Sequence, residues 1–316
     1  MNPNFLTRLN FLRPSTSIRR RVFASFQDNQ HAQQQQQQQQ QEHNVVAPLM
    51  LKLEWHLGNR VARLVMDDKH INSLSLNMLN QLHDSLRELD ARREVRAVII
   101  AASGPAYSAG HALQELVSVL QSKRDQRSIA KCSPNVLNFV TFMRQMQLPV
   151  IAEVDALVTA AGTQLVASCD IVVVSGRASF SVGGIKLGLF CATPAVPLSR
   201  CLPTKVVADM LLTGRFLDAN KAYKFGLASR LVHVNDVTRE ALAVAASICE
   251  NSRSVTAMGK AFFNAQLDQN VPNAQATETM CDNLKWRDAQ EGISAFLTKP
   301  KRAKQWTHTD EKVIDD

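Results

Sequence analysis

The strongest constraint on how this chain folds is a pattern met twice: a short apolar run, a turn of small residues, then a helical stretch. The first copy is VRAVIIAAS, Val95 to Ser103, followed by GPAYSAGHAL, Gly104 to Leu113. The second is LPVIAEV, Leu148 to Val154, followed by DALVTAAGTQLVASCDI, Asp155 to Ile171, and then by IVVVS, Ile171 to Ser175. Apolar runs of this length bounded by turns read as buried strands. A helix that starts in such a turn also exposes main-chain N–H groups with no intrahelical partner, so it can receive a partly negative oxygen. An ordinary strand-turn-helix connection has the same local pattern, and the segment alone does not identify the oxygen.

The flanking sequence supports an α/β reading. Leu51, Leu53, Trp55 and Leu57 alternate with polar residues, Gly58-Asn59 makes a turn, and Val61 to Met66 returns as the second arm of a hairpin. Leu79, Leu82, Leu86 and Leu89 fall on one face of a helix. Leu120 to Met146 is charged and then amphipathic, which suits a helical connector or lid. Beyond Val206 the pattern predicts helices over Val206–Thr213, Ala219–Phe225 closed by Gly226, Val237–Glu250, Thr256–Asp268 and Asn273–Asp288, with a short strand at Leu231–Val234. The expected organisation is therefore an α/β core over 49–235 and a helical C-terminal segment over 236–316.

No apolar run approaches the roughly 18 residues of a membrane helix, so no membrane span is expected. The formal charge of +8 raises the question of nucleic acid, but it is unevenly placed. Residues 1–23 carry Arg8, Arg13, Arg19, Arg20 and Arg21 and no acid, and without them 31 basic residues face 28 acidic ones. No basic stripe with interleaved aromatics remains for a nucleic-acid surface. An arginine-rich, acid-free leader with Ser15, Thr16 and Ser17 has the composition of a mitochondrial transit peptide, so residues 1–23 are expected to direct the chain to the matrix. Residues 24–48 contain the glutamine tract Gln33–Gln41 and read as a disordered spacer. The six cysteines are scattered without a CxxC pair, so neither a metal site nor a disulfide framework is expected.

Set side by side, the two small-residue turns have a counterpart. The chain resembles the crotonase (enoyl-CoA hydratase/isomerase) superfamily through SAGH, Ser108 to His111; Leu148 to Ile171; ASF and GIKLGL, within Ala178 to Leu189; FGLASRLV, Phe225 to Val232; and EGISAFLTKPKRAKQW, Glu291 to Trp306. The resemblance implies a spiral of ββα turns and a C-terminal helical segment that builds trimers, often paired into hexamers. It also implies an acyl-CoA thioester as substrate or ligand in fatty acid metabolism, with no further cofactor. The thioester carbonyl would lie between the main-chain N–H groups of His111 and Ala161. Such donors, aimed at an oxygen that gains charge, are each worth roughly 10² to 10³ in rate. The family usually has glycine at Ala161, and an added methyl there raises the question of a left-handed backbone. Lys299 and Lys301 are candidates to meet CoA phosphates.

The departures from the family matter more. Its hydratases use two glutamates as base and acid, and here those positions hold Gln164 and Gly184; a third acidic position, used by dienoyl-CoA isomerases, is Ala192. Neither an amide nor a glycine exchanges a proton near neutral pH. At about 10² to 10⁴ for each group, the joint loss is on the order of 10⁴ to 10⁸, so hydratase activity is expected to be weak or absent. Glutamates restored at both positions are expected to raise it. Tyr107, Glu115, Ser181, Lys186 and Cys191 are the residues available for other thioester chemistry, whereas Asp170 implies only structure at a strand entrance. Two other functions compete. One is a hydrolase in which Ser108 acts as a nucleophile with Asp218 and His233, since AYSAG superficially resembles a nucleophile elbow. The other is a non-catalytic interaction protein.

Overall fold

The computed structural model describes residues 49–115, 136, 138–268, 282–283, 285–297 and 303–313. The expectations for 1–23 and 24–48, for Lys299 and Lys301, and for most of the helix Asn273–Asp288 lie outside these residues. The fold starts with the expected hairpin, β1 (Leu51–His56) and β2 (Val61–Met66). Helix α1 (Leu76–Ala91) follows, capped by Ser75, whose Oγ accepts the Met78 N–H at 3.1 Å. It buries Met78, Leu79, Leu82, Leu86 and Leu89 along one stripe. Truncating such a side chain to alanine typically costs 2–5 kcal/mol.

The ββα repeat comes next. The first turn has β3 (Ala97–Ala102) and β4 (Ala106–Ser108). The second has β5 (Val150–Val154), β6 (Leu157–Thr159) and α2 (Ala161–Ala167). The third has β7 (Ile171–Ser175), β8 (Ser179–Ser181), a 3₁₀ turn at Gly183–Leu187, and then α3 (Ala192–Cys201) and α4 (Thr204–Thr213). The remaining elements are β9 (Leu217–Asp218), α5 (Ala219–Phe225), β10 (Arg230–Val232), α6 (Val237–Cys249), α7 (Arg253–Asp268) and α8 (Arg287–Leu297). The long strands form one sheet in the order β1-β2-β3-β5-β7-β10, parallel except for the β1-β2 hairpin. The short strands form a second sheet, β4-β6-β8-β9. Each turn of the spiral therefore feeds one strand to each sheet.

Both faces of the larger sheet's central strands, β3, β5 and β7, are covered, which is why these are almost wholly apolar. Val98, Ile100, Val150, Ala152, Val172 and Val174 face the main core with α1. The alternate residues Ala97, Ile99, Ile151 and Val173 face α6, which presents Val237, Ala241, Ala245 and Cys249 at spacings of four. On that same side Glu153, 5% exposed, accepts from Arg63 Nε at 2.8 Å and Nη2 at 2.7 Å and from Thr238 Oγ1 at 2.6 Å. Asp170 has the structural role expected of it: Oδ2 accepts the Val150 N–H at 2.7 Å and pairs with Lys260 Nζ at 2.8 Å. Lys260 also donates to the Met143 and Leu148 carbonyls, and so ties α7 to the core.

Sequence and structure differ in places. The segment 106–108, expected as part of a turn, is a strand, and so are 157–159, 179–181 and 217–218. Helices α3 and α8 were not expected from the pattern. In α3 the reason is its prolines, Pro194 and Pro197, which mask a helical register.

Candidate functional site

The two small-residue turns meet at the C-terminal ends of the strands, with main chain packed on main chain. Gly110 has φ +86, and a Cβ there would stand 2.8 Å from Ala160 Cβ, 3.0 Å from Thr159 O and 3.1 Å from Ala161 N. A Cβ on Gly162 would stand 2.8 Å from both Cβ and O of Ser108. No side chain fits in either place, so these glycines set the separation of the segments. Side chains then lock them: Thr159 Oγ1 donates to Ala109 O at 2.8 Å, and Ser108 Oγ accepts the Gly110 N–H at 3.2 Å. Buried Asn72 donates through Nδ2 to the carbonyls of Ser103 (2.7 Å) and Ala106 (2.9 Å), and its Oδ1 accepts the Asp68 N–H. Asn72 and Thr159 were missed from sequence because their partners lie tens of residues away.

As the first residue of α2, Ala161 has no intrahelical acceptor for its N–H. Among the described residues neither that N–H nor the His111 N–H donates a hydrogen bond. Both residues line a cleft of about 630 Å³. The left-handed strain falls one residue before the position where the sequence raised it: Ala160 has φ 48 and ψ −118, a conformation natural to glycine, while Ala161 is helical. A non-glycine residue held there costs of order 1–3 kcal/mol, sustained by the surrounding packing.

The opposite wall of the cleft runs from Gly183 to Pro194. Gly184 and Ala192 both line it, and no carboxylate lines the cleft among the described residues. The loop after the 3₁₀ turn folds back on Gly184: Leu189 N–H donates to Gly184 O at 2.9 Å. A Cβ on Gly184 would stand 2.8 Å from Cys191 Sγ and 2.8 Å from Leu189 O. A glutamate at 184 therefore requires this loop to move, a condition the sequence did not reveal. Gln164 is fully buried on α2 and stands outside the cleft lining; its Oε1 and Nε2 both lack a hydrogen-bond partner. The structure thus gathers His111, Ala161, Gly184 and Ala192 at one cleft and leaves Gln164 behind its wall.

The other candidates sort clearly. Ser181, Lys186 and Cys191 line the cleft; Lys186 Nζ sits 5.9 Å from the centroid of the Phe216 ring. His111 lines it too, and burial holds its imidazole pKa below the ordinary value against the opposing charge of Glu115. Glu115 itself is occupied elsewhere, its Oε2 accepting the Leu76 N–H at the start of α1 at 2.9 Å. Tyr107 is fully buried, donates to Ile100 O at 3.2 Å, and has its pKa raised well above the usual range by burial. The hydrolase expectation is corrected: Ser108 is fully buried in β4 with its Oγ engaged by Gly110, while Asp218 and His233 are caps at the starts of α5 and a 3₁₀ turn. The rim of the cleft is apolar, with Leu187, Leu189, Phe190 and Phe216 all exposed.

Residues 56–309 match the family described as enoyl-CoA hydratase/isomerase. The chain is 41% identical over 254 residues to the enoyl-CoA hydratase domain-containing protein 3, mitochondrial, of Danio rerio, covering 79% of this chain and 86% of that one. The Homo sapiens protein of that name is 40% identical over 248 residues, covering 78% and 80%. The crystal structure of human enoyl coenzyme A hydratase domain-containing protein 3 superposes with a TM-score of 0.75 at 38% identity, over 82% of this chain and all of that one. An enoyl-CoA hydratase of Mycobacterium smegmatis gives 0.76 at 36%, over 83% and 100%.

Proposed function

Because the chain belongs to the enoyl-CoA hydratase/isomerase family, we propose that it binds an acyl-CoA thioester and polarises its carbonyl without the acid-base pair needed for ordinary hydration. The carrying observation is the composition of the cleft: two unengaged main-chain N–H groups, His111 and Ala161, face a space without a carboxylate among the described residues. Two converging donors suit an oxygen that gains negative charge, as a thioester carbonyl does when its α or β carbon reacts. The exposed apolar rim suits an acyl chain and the stem of a CoA thioester.

Hydration also requires a base to activate water and an acid to protonate the neighbouring carbon. Among the groups lining the cleft, burial lowers the pKa of His111 and so disfavours the protonated form that would act as the acid, and Lys186 is directed at Phe216. Gln164 and Gly184 exchange no protons. Hydratase activity is accordingly weak or absent, and the physiological role is binding or a different thioester reaction.

Place and assembly are part of the same proposal. The acid-free, arginine-rich residues 1–23 and the word mitochondrial in the relatives' names support import into the matrix, with a role in fatty acid metabolism. A homotrimer or hexamer built through the C-terminal segment is the expected assembly, with Lys299 and Lys301 available to CoA phosphates. No helix among the described residues is long and apolar enough to cross a membrane.

The test is titration calorimetry of the full chain with crotonyl-CoA and longer acyl-CoAs, paired with a spectrophotometric hydration assay. Saturable thioester binding with hydration at least 10⁴-fold below ordinary hydratases is expected, the low end of the deficit from losing two acid-base groups. Binding by no thioester, or hydration at an ordinary rate, overturns the proposal. Residues 1–48 fused to a reporter test import.

A further inference from the structure

The other end of the larger sheet carries a second cavity, of about 530 Å³, lined by Arg60, Cys249, Glu250, Lys304, Trp306 and His308 among others. It lies far from the acyl-CoA cleft. Arg60 and Arg96 immediately precede the paired first residues of β2 and β3, Val61 and Ala97, and the Arg96 N–H donates to Arg60 O at 2.7 Å. The turn containing His111 leaves β3 from its opposite end, and a six-residue strand spans about 20 Å.

The walls are built rather than casual. The C-terminal strand of chain, 303–313, is fastened to the body through Asp288, whose carboxylate accepts from Thr307 N (2.7 Å), Thr307 Oγ1 (2.7 Å), His308 N (2.8 Å) and Ser252 Oγ (2.5 Å). Trp306 Nε1 donates to Glu250 O at 2.6 Å, and His308 Nδ1 accepts the Arg253 N–H at 3.2 Å. Lys304 Nζ sits 5.3 Å from the Trp306 ring centroid.

Beneath this cavity two guanidinium groups share one oxygen. Arg96 Nη1 and Arg253 Nε donate to Val95 O at 3.2 and 3.3 Å, which holds two like charges close together. Arg96 is 9% exposed and its Nε has no partner. Arg60, Arg96, Arg253, Lys304 and His308 form no ion pair among the described residues. The nearby acids are Glu250 in the wall, Glu94, which faces Arg92, Asp90, whose main-chain oxygen accepts from Arg253 Nη2 and whose Oδ1 accepts the Leu148 N–H, and Asp288, whose oxygens are already engaged. Burial, then the charge of Arg253, holds the pKa of Arg96 below its ordinary value, and burial, then Arg96, does the same for His308. The carboxyl end of α6 favours a cation, but at 0.3–1 kcal/mol that effect accounts for one charge and not for a cluster.

We propose that this cavity is an anion site, separate from the acyl-CoA cleft, that takes a diphosphate group between the Arg60 wall and the Lys304–His308 wall. Clustered, unpaired cations are costly until an anion enters, and forked guanidinium donors match phosphoryl oxygens. A diphosphate carries more oxygens to share between the two walls than a single phosphate does.

The test uses the full chain and sodium pyrophosphate, with the thermal midpoint followed at constant ionic strength against sodium chloride. A saturable rise in midpoint is expected with pyrophosphate, and orthophosphate is expected to bind at least tenfold more weakly. The variant Arg60→Ser, Lys304→Ser, at two exposed positions, is expected to weaken pyrophosphate at least tenfold; cooperative unfolding in chloride alone reports that its fold is intact. A midpoint no higher than in chloride overturns the proposal. So does pyrophosphate affinity unchanged in the variant, which places the anion elsewhere, or equal affinity for orthophosphate, which removes the second wall.

Discussion

The two walls of the cleft have fared differently in this sequence. On one wall the atoms proposed to act are main-chain N–H groups, held by Gly110, Gly162, Asn72 and Thr159. Substitution at the donor positions themselves, as in Ala161, leaves such a wall in place. On the other wall the family resemblance implies a side-chain carboxylate at position 184, and a single codon decides whether it is there. Here the loop from Gly188 to Cys191 packs against Gly184. Geometry made by backbone tolerates a change of side chain, and chemistry made by side chains does not.

The largest expected effect is on the backbone wall. Gly110→Ala combines φ +86 with a Cβ 2.8 Å from Ala160, so a loss of about 2–5 kcal/mol in urea unfolding is expected, together with loss of thioester binding by calorimetry. The variant Gln164→Glu with Gly184→Glu joins a side chain buried on α2 behind the cleft to one on the Gly183–Pro194 wall. The pair is expected to destabilise by about 1–3 kcal/mol and to leave hydration far below ordinary rates, because Leu189 O and Cys191 Sγ occupy the place of the new side chain. Substantial hydration by that variant, followed spectrophotometrically, would show the loop to be mobile and would erase the contrast between walls.

Smaller effects sharpen the comparison. Gln164→Leu replaces a fully buried amide without partners, and a gain of about 1–2 kcal/mol in denaturant unfolding is expected; a loss would show that the amide is satisfied by water or ligand. Ala160→Gly removes the strain at φ 48, with a gain of about 1 kcal/mol after glycine's added unfolded-state entropy, read by the same method. The smallest effect concerns pH. Burial lowers the folded-state pKa of His111, so between that value and about 6.5 the unfolded chain binds a proton that the folded chain does not. Stability is full above that window and falls as pH drops through it. His111→Asn is expected to flatten the decline by a fraction of a kcal/mol.

Much of the fold was legible in the sequence, because apolar runs such as Ala97–Ala102 and Ile171–Ser175 have both length and period. The second sheet was not, since strands of three residues among Ala, Ser and Thr are too short to carry a pattern. Of the site, the two turns could be read, and the resemblance pointed to His111 and Ala161, which line one cleft. The strain at Ala160, the clamp at Asn72 and the loop over Gly184 depend on segments that meet only after folding. Gln164 was read by position, and its burial without a partner is a tertiary property.

The central claim is that one wall polarises a thioester while the other supplies no chemistry. Difference infrared spectroscopy of crotonyl-CoA carrying a ¹³C-labelled carbonyl, bound to the full chain and followed over hours, tests both parts in one measurement. A carbonyl band moved to lower frequency, with the double bond intact throughout, is expected. An unshifted band, or conversion to the 3-hydroxy thioester at an ordinary hydratase rate, would contradict that claim.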